Sequence, residues 1–415
     1  SGSAAFAAAI KARDLGARVG MIERDTIGGT CVNVGCVPSK ALLRAAESYW
    51  RAGHRPCAGV PTSTDGHVEL PALVDQKRGL VDQLRKEKYQ DLVDIYGFDL
   101  IRGNARFTGP DTIEVDGKQM KAGRYLIATG ADPWVPPIEG LDEAGYITST
   151  EALELDSVPE RLIVVGANAI GLELGQLFIH LGAQVTFVEA LDRIAPFEEP
   201  EISQSLHSYL QAQGAVIHTG AMASKAGRDG DGVWLEVAVG GTSTRIEGDR
   251  LLMATGRRAR TGGLGLEAAG VDTDSRGHVV VDDQLQTSND RVFAAGDVTS
   301  HPQFVYVASM GGNIAAENAL RAEGRTIDFR TMPRVTFTTP TVASVGLTDS
   351  EARDQGHPVI SAVLPLEAVP RALVDYETEG LVKLVADEST GQLLGAHILA
   401  EGAGDVIQAA VMALK

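Results

Sequence analysis

Cysteine is nearly absent: three residues in 415 cannot build the disulfide framework of a small secreted protein, so two of them five positions apart suggest redox chemistry or metal binding. Cys57, the third, reads as incidental. Positive charge is in deficit as well. A net charge of −18 argues against a nucleic-acid surface or an anionic membrane surface, since both need clustered Lys and Arg. Small molecules or protein are the expected partners. No uninterrupted apolar run approaches the roughly 20 residues that span a bilayer, and the start does not resemble a signal peptide. The expectation is a soluble, cytoplasmic protein. Aromatic residues are few, at 5%, whereas glycines number 47 and hydrophobic residues make up 44%. That balance suits an α/β protein whose backbone passes close to phosphates and helices. A chain of 415 residues exceeds one hydrophobic core, so two or three domains are expected.

The chain opens on Ser1-Gly2-Ser3-Ala4-Ala5, directly into an Ala-rich helix pattern over residues 2–16. No apolar strand precedes it, and the expectation is of a chain cut at this end. Ala17 to Glu23 then reads as a buried parallel strand ending in an acid. A second βαβ unit is complete: strand Arg161–Val165, loop Gly166–Gly171, helix Leu172–Leu181, strand Gln184–Glu189. Between the units lie a helical stretch from Ser39 to Tyr96 and short strands near Ile101 and Ile113. Later come strands near Val233 and Leu251, then a buried strand from Val292 to Asp297. From Met332 onward, segments such as Arg334–Phe337 and Gly380–Val385 suggest an antiparallel sheet with helices. The last helix, from about Gly404, has no stop signal before Lys415, so this end also reads as cut.

Two phosphate loops follow from this layout. In the first, Gly2 lets backbone approach a pyrophosphate, Ala5 permits close helix packing, and Glu23 sits where a carboxylate meets a ribose hydroxyl. The second, Gly166-Ala167-Asn168-Ala169-Ile170-Gly171, is a G-x-N-x-x-G variant; Asn168 is expected to tolerate unusual backbone angles in place of glycine. Glu189 favours the free ribose hydroxyls of NADH over the extra phosphate of NADPH, and Arg193 lies close enough in sequence to offset it. The preference stays open, tilted towards NADH. The strongest signal is Gly28-Gly29-Thr30-Cys31-Val32-Asn33-Val34-Gly35-Cys36-Val37-Pro38-Ser39-Lys40. Two thiols separated by four residues can close a small ring, and a helix start favours the thiolate that exchange requires. A pair of small hydrophobes or half a zinc site are the alternatives. No second Cys pair or paired His exists to complete the zinc site.

That segment resembles the active-site signature of the flavoprotein disulfide reductases, the class I pyridine nucleotide-disulfide oxidoreductases, and the resemblance spans essentially the whole chain. It implies an α/β fold of two Rossmann-like dinucleotide-binding domains, for FAD and NAD(P), plus a C-terminal α+β dimerisation domain. The implied boundaries are 1–149 and 261–330 for the flavin part, 150–260 for NAD(P) and 331–415 for dimerisation. Cys36 would face the flavin, Cys31 would exchange with substrate, and Lys40 would pair with Glu173 beside the flavin. The implied FAD contacts are Gly2, Ala5, Glu23, Thr30, Lys40, Ala105, Thr129, Gly130, Gly296, Asp297 and Val305, the last at a helix start. Those for NAD(P)H are Gly166, Asn168, Ile170, Gly171, Glu189, Gly256 and Arg257. The Ala128–Gly130 and Ala254–Gly256 turns match the family's domain crossings, and Ala169 stands where some members carry a gating Tyr.

Within the family, Gln303 to Ala308 and Val369 to Leu373 are more similar to the mercuric reductases than to other branches. This implies reduction of Hg(II) held transiently by Cys31 and Cys36, in a homodimer whose active site lies at the subunit interface. A dihydrolipoamide dehydrogenase or another disulfide reductase is the alternative, and a non-catalytic flavin-binding protein the second. The features that separate the branches, a C-terminal Cys pair or His–Glu pair, are not among these residues.

Overall fold

A computed structural model describes residues 1–54, 59–60, 62 and 68–415. Cys57 lies outside the described residues. The chain forms two compact units, each assembled from three separate stretches.

The first comprises Ser1–Ser39, Asp75–Trp134 and Gly256–Ile327. Strand Gly20–Glu23 pairs in parallel with Asp99–Arg102, and Tyr125–Ile127 pairs in parallel with Val292–Ala294. An antiparallel meander runs through Ala105–Gly109, Thr112–Val115 and Lys118–Met120. Helix Ser3–Asp14 crosses helix Val305–Arg321 so closely that a Cβ on Gly312 would run into the Ala4 carbonyl. Small residues on both faces permit that approach. Phe6, Met21, Ile27 and Phe98 form one core, and Tyr125, Ile127, Val292 and Ala294 belong to another.

The second unit comprises Lys40–Val74, Val135–Thr255 and Asp328–Lys415. Its parallel sheet has the order Val216–His218, Gln184–Val188, Arg161–Val165, Arg250–Met253. Every residue of helix Ala169–His180 from Gly171 onward is buried, in keeping with a sequence that is apolar apart from Glu173, Gln176 and His180. An antiparallel three-stranded sheet, Ala221–Asp229, Gly232–Val239 and Thr242–Gly248, follows. The C-terminal part is a five-stranded antiparallel sheet in the order Arg334–Thr336, Thr341–Gly346, Leu393–Ala400, Leu381–Asp387, Val359–Pro365, with helix Ala403–Ala413 packed on it. No helix among the described residues is long and apolar enough to cross a membrane.

Three sequence expectations need correction. The helical stretch expected over Ser39 to Tyr96 is Cys36–Gly53, Leu70–Arg85, a π-helical turn Lys86–Gln90 and Asp91–Tyr96. Its first helix begins before Pro38, because the first turn of a helix makes no demand on a proline nitrogen. Helix Ala169–His180 likewise starts three residues before Leu172. Asn168 adopts ordinary extended angles, φ −109° and ψ −170°, so no tolerance of unusual geometry is needed where the middle glycine is missing.

Candidate functional site

The redox segment is held by glycines with distinct jobs. Gly28 and Gly29 have φ of +107° and +66°, and a Cβ on Gly29 would sit 2.5 Å from the Gly2 Cα. The thiol loop thus lies against the first phosphate loop. A Cβ on Gly35 would come within 2.9 Å of the Thr30 carbonyl oxygen. Bare Gly35 lets the chain fold back on Thr30, which draws together the residues that follow each of them, Cys31 and Cys36. Cys31 is half-buried and Cys36 exposed. Cys36 is the first residue of an 18-residue helix, where the partial positive charge of unpaired N–H groups favours thiolate. Asn33 braces the loop, its Nδ2 donating to the Ile27 and Gly29 carbonyls while its Oδ1 accepts from Arg85 Nε at 2.6 Å.

Tyr89 escaped the sequence reading. It stands in the π-helical turn, a rare local geometry that often marks functional positions, packs edge-on against Phe6 with ring centroids 4.9 Å apart, and lies beside Gly28. Burial raises its hydroxyl pKa, a hydrogen bond with Ser3 opposes that, and the Cys31 and Cys36 thiols add to the rise. Only the departure from regular α-helix singles it out.

Glu23 ends its strand as expected, with Oε2 accepting from Ser1 and Oε1 from the Asp25 amide. Ala5 is in the first helix, and Ala105 opens the meander. Strands Ala131–Pro133 and Arg257–Ala259 pair antiparallel directly after Gly130 and Gly256, and Thr129 Oγ1 donates to the Arg260 carbonyl. Gly296, at φ +80°, leads into Asp297, and Val305 is the first residue of its helix. Asp297 is half-buried: desolvation raises its carboxyl pKa, and Arg257 and Arg260 pull it back. Arg257, expected on the NAD(P) side, belongs to this unit. Its Nε lies 3.9 Å from Asp297, its Nη2 donates to the Ala131 carbonyl, and Nε itself is buried without a hydrogen-bond partner. Burial lowers the Arg257 pKa, and Asp297 and Cys36 are among the charges that raise it.

In the second unit, Gly166 has φ +98° and Gly171 is packed so tightly that a Cβ would strike the Gly166 carbonyl. Ile170 lies in the first turn of the helix beside it. Glu189, 8% exposed, accepts from the Ala167 amide at 2.7 Å and the Leu191 amide at 2.9 Å. Lys40 Nζ pairs with Glu173 Oε2 at 2.6 Å and lies 4.7 Å from the centre of the Phe337 ring. Glu173 Oε1 accepts from the Phe337 amide at 2.9 Å, so the carboxylate that orients Lys40 is itself fixed. Phe337 carries no motif and was invisible in the sequence.

A dithiol loop and two glycine-bounded turns at helix starts together define a class. Residues 1–312 match the family model described as pyridine nucleotide-disulphide oxidoreductase, and residues 332–415 match that family's dimerisation domain. The chain belongs to the pyridine nucleotide-disulphide oxidoreductases. It is an enzyme, a flavoprotein that works with FAD and a nicotinamide coenzyme. Mercuric reductase of Staphylococcus aureus is 51% identical over 415 residues, covering 100% of this chain and 76% of that protein. That of Bacillus cereus is also 51% identical over 415 residues, covering 100% of this chain and 66% of that protein. Among solved structures, the Cu(II) complex of the HOCl-induced flavoprotein disulfide reductase RclA from Escherichia coli superposes with a TM-score of 0.87 at 31% identity, covering 99% of this chain and 91% of that one.

Proposed function

We propose that the chain reduces Hg(II) to Hg(0) with electrons from a nicotinamide coenzyme, through FAD, at the Cys31/Cys36 pair. The observation that carries the reading is a pair of cysteines in one glycine-rich loop, one of them at a helix N-terminus, in a chain half identical to mercuric reductases. Soft thiolates suit a soft ion. Overall, Hg(II) gains two electrons while the reduced coenzyme becomes NAD(P)+ and a proton.

The glycine cradle of Gly2 and Gly29, the half-buried Asp297, and the orphaned Arg257 Nε fit a dinucleotide with polar linker atoms. When bound, FAD accepts reducing equivalents from the coenzyme and delivers them to the thiol pair. In this reading Gly2, Ala5, Glu23, Thr30, Ala105, Thr129, Gly130, Gly296, Asp297 and Val305 hold FAD, with Arg257 beside them. Gly166, Asn168, Ile170, Gly171, Glu189 and Gly256 serve the coenzyme. The flavin domain then comprises 1–149 and 261–330, the coenzyme domain 150–260 and the dimerisation domain 331–415. Cys36 faces the flavin and Cys31 meets the incoming ion. Lys40, one helical turn beyond Cys36, holds a fixed positive charge there, oriented by Glu173. The enzyme works as a cytoplasmic homodimer whose second subunit completes each site.

The deciding experiment is Hg(II)-dependent NADH and NADPH oxidation with excess small thiol, with lipoamide and glutathione disulfide assayed in parallel. Turnover with Hg(II) supports the reading; turnover only with an organic disulfide overturns the substrate. Two variants probe the machinery. Lys40→Met is expected to slow flavin bleaching by the coenzyme about tenfold or more in stopped flow, since a fixed charge beside the reacting groups is lost. Glu173→Gln should do less, because one oxygen can still accept from the Phe337 amide. Gly171→Ala is expected to weaken coenzyme binding by about tenfold or more with FAD retained, as the new methyl strikes Gly166. Gly79→Ala, whose Cβ meets nothing within 4 Å, is the control.

A further inference from the structure

We infer that Gln176 is a positioning residue of the redox site: by clamping Thr339 it holds Phe337 in place, and Phe337 in turn fixes Glu173 and the charge of Lys40. This rests on reading Lys40 as the cation that serves the thiol pair. Gln176 lies one turn after Glu173 on helix Ala169–His180, on the same face, and is 1% exposed. A buried side-chain amide needs partners, and Gln176 has three. Its Oε1 accepts from the Thr339 amide at 2.7 Å, and its Nε2 donates to the Thr339 carbonyl at 2.6 Å and to Gln213 Oε1 at 2.9 Å. Both donors are used, so the amide has a single orientation that satisfies them.

Glu173 and Gln176 thus grip one segment at alternate residues, Glu173 taking the amide of Phe337 and Gln176 both main-chain groups of Thr339. The other oxygen of Glu173 holds Lys40, whose ammonium faces the Phe337 ring. Glu173 is therefore divided between Phe337 and Lys40, and without the Gln176 clamp the Phe337 amide can leave it and free the carboxylate to turn. The clamp is braced from behind. Gln213, its Oε1 occupied by Gln176, presents Nε2 to His180 Nε2 at 3.2 Å. Burial lowers the His180 pKa to about 4, so the ring is neutral at pH 7 and that nitrogen can accept. The same ring stacks on Trp50 with centroids 5.1 Å apart. Trp50 belongs to helix Cys36–Gly53, which also carries Lys40. The two helices meet at Lys40–Glu173 and again at Trp50–His180, and Gln176 lies between those points in sequence.

The test is stopped-flow flavin bleaching of the FAD-loaded enzyme over a range of NADH and NADPH concentrations, in Gln176→Leu, Lys40→Met and the double variant. Gln176→Leu is expected to lower the limiting rate by about three- to tenfold and to move the half-saturating coenzyme concentration by less than about twofold. In the Lys40→Met background the same substitution should cost less than about twofold, because its effect passes through Lys40. Leucine also strands a buried amide and carbonyl, so Gln176→Glu is the conservative variant. Buried there and one turn from Glu173, its carboxyl stays protonated, accepts from the Thr339 amide, donates to the Thr339 carbonyl and should restore most of the rate. An unchanged limiting rate in Gln176→Leu, an equal loss with and without Lys40, or no recovery in Gln176→Glu overturns the inference and leaves the role of Lys40 standing. A wild-type rate in Lys40→Met brings down the reading of Lys40, and the inference with it.

Discussion

Cys31→Ser is expected to lower Hg(II)-dependent turnover by at least about 10³-fold, on the scale seen when a reacting side chain is removed, while flavin bleaching by the coenzyme survives. The two readouts separate because the thiols occupy different surroundings. Cys36 begins a helix and lies within the electrostatic reach of Arg257, so its negative form is supported from two directions. Cys31 is the second half of the pair and sits within the short helix Gly29–Asn33. Serine differs by one atom, and the loop that carries it is built from Gly28, Gly29, Gly35 and Asn33, none of which is touched. Loss of activity would therefore report sulfur chemistry, not misfolding. A hydroxyl gives no anion at neutral pH and is a poor partner for a soft ion. Cys36→Ser should abolish turnover equally and also change the flavin spectrum of the reduced enzyme. Retention of more than about a tenth of the wild-type rate in Cys31→Ser would sink the dithiol mechanism.

The parts of this site legible in sequence were those whose chemistry is local. Cys31 and Cys36 announce themselves by spacing, and Gly166 and Gly171 by their place between a strand and a helix. The fold class followed from two strands ending in acids, Glu23 and Glu189, each after a glycine-bounded helix start. Contacts between distant stretches left no trace. Phe337 donates its amide to Glu173 across 164 positions of sequence, and nothing in either neighbourhood predicts it. Arg257 is expected among the coenzyme residues; its strand also pairs with Ala131–Pro133 and brings it to Asp297, a contact between stretches that the sequence does not show. Tyr89 was hidden differently: it falls in a stretch that reads only as helix, and it stands in a π-turn with its ring against Phe6. Asn168 differs from expectation in another way, since the residue is extended and its tolerance of unusual backbone angles is not called upon.

The largest stability effect is expected at Lys383, which no motif marks. Its ammonium is 2.9 Å from Glu199 and 2.9 Å from Glu201, and the Lys383 and Glu199 side chains are only 5% and 2% exposed. Glu199 also accepts from the Asp349 amide at 2.6 Å. Strand Leu381–Asp387 is thereby tied to the start of helix Pro200–Ala212 inside the second unit. Lys383→Met keeps the stem and removes the charge, leaving a buried carboxylate unpaired at a cost of about 3–5 kcal/mol. For a unit of this size that lowers Tm by roughly 6–20 °C. Adding Glu199→Gln and Glu201→Gln to Lys383→Met should recover part of the loss, since the stranded charges go with it. The pH dependence has a definite sign. Burial would lower the Lys383 pKa, but its two carboxylate partners raise it, so its contribution is complete below the unfolded value near 10.4 and fades as pH climbs through the folded one. Burial would raise the Glu201 pKa, but the hydrogen bond from Lys383 lowers it; its contribution is complete above about 4.3 and fades as pH falls through the folded value. The wild-type Tm should hold a plateau between those limits and drop on both sides. Lys383→Met should flatten both drops, and a Tm within about 1 °C of wild type at pH 7 would show that the network carries no net stability.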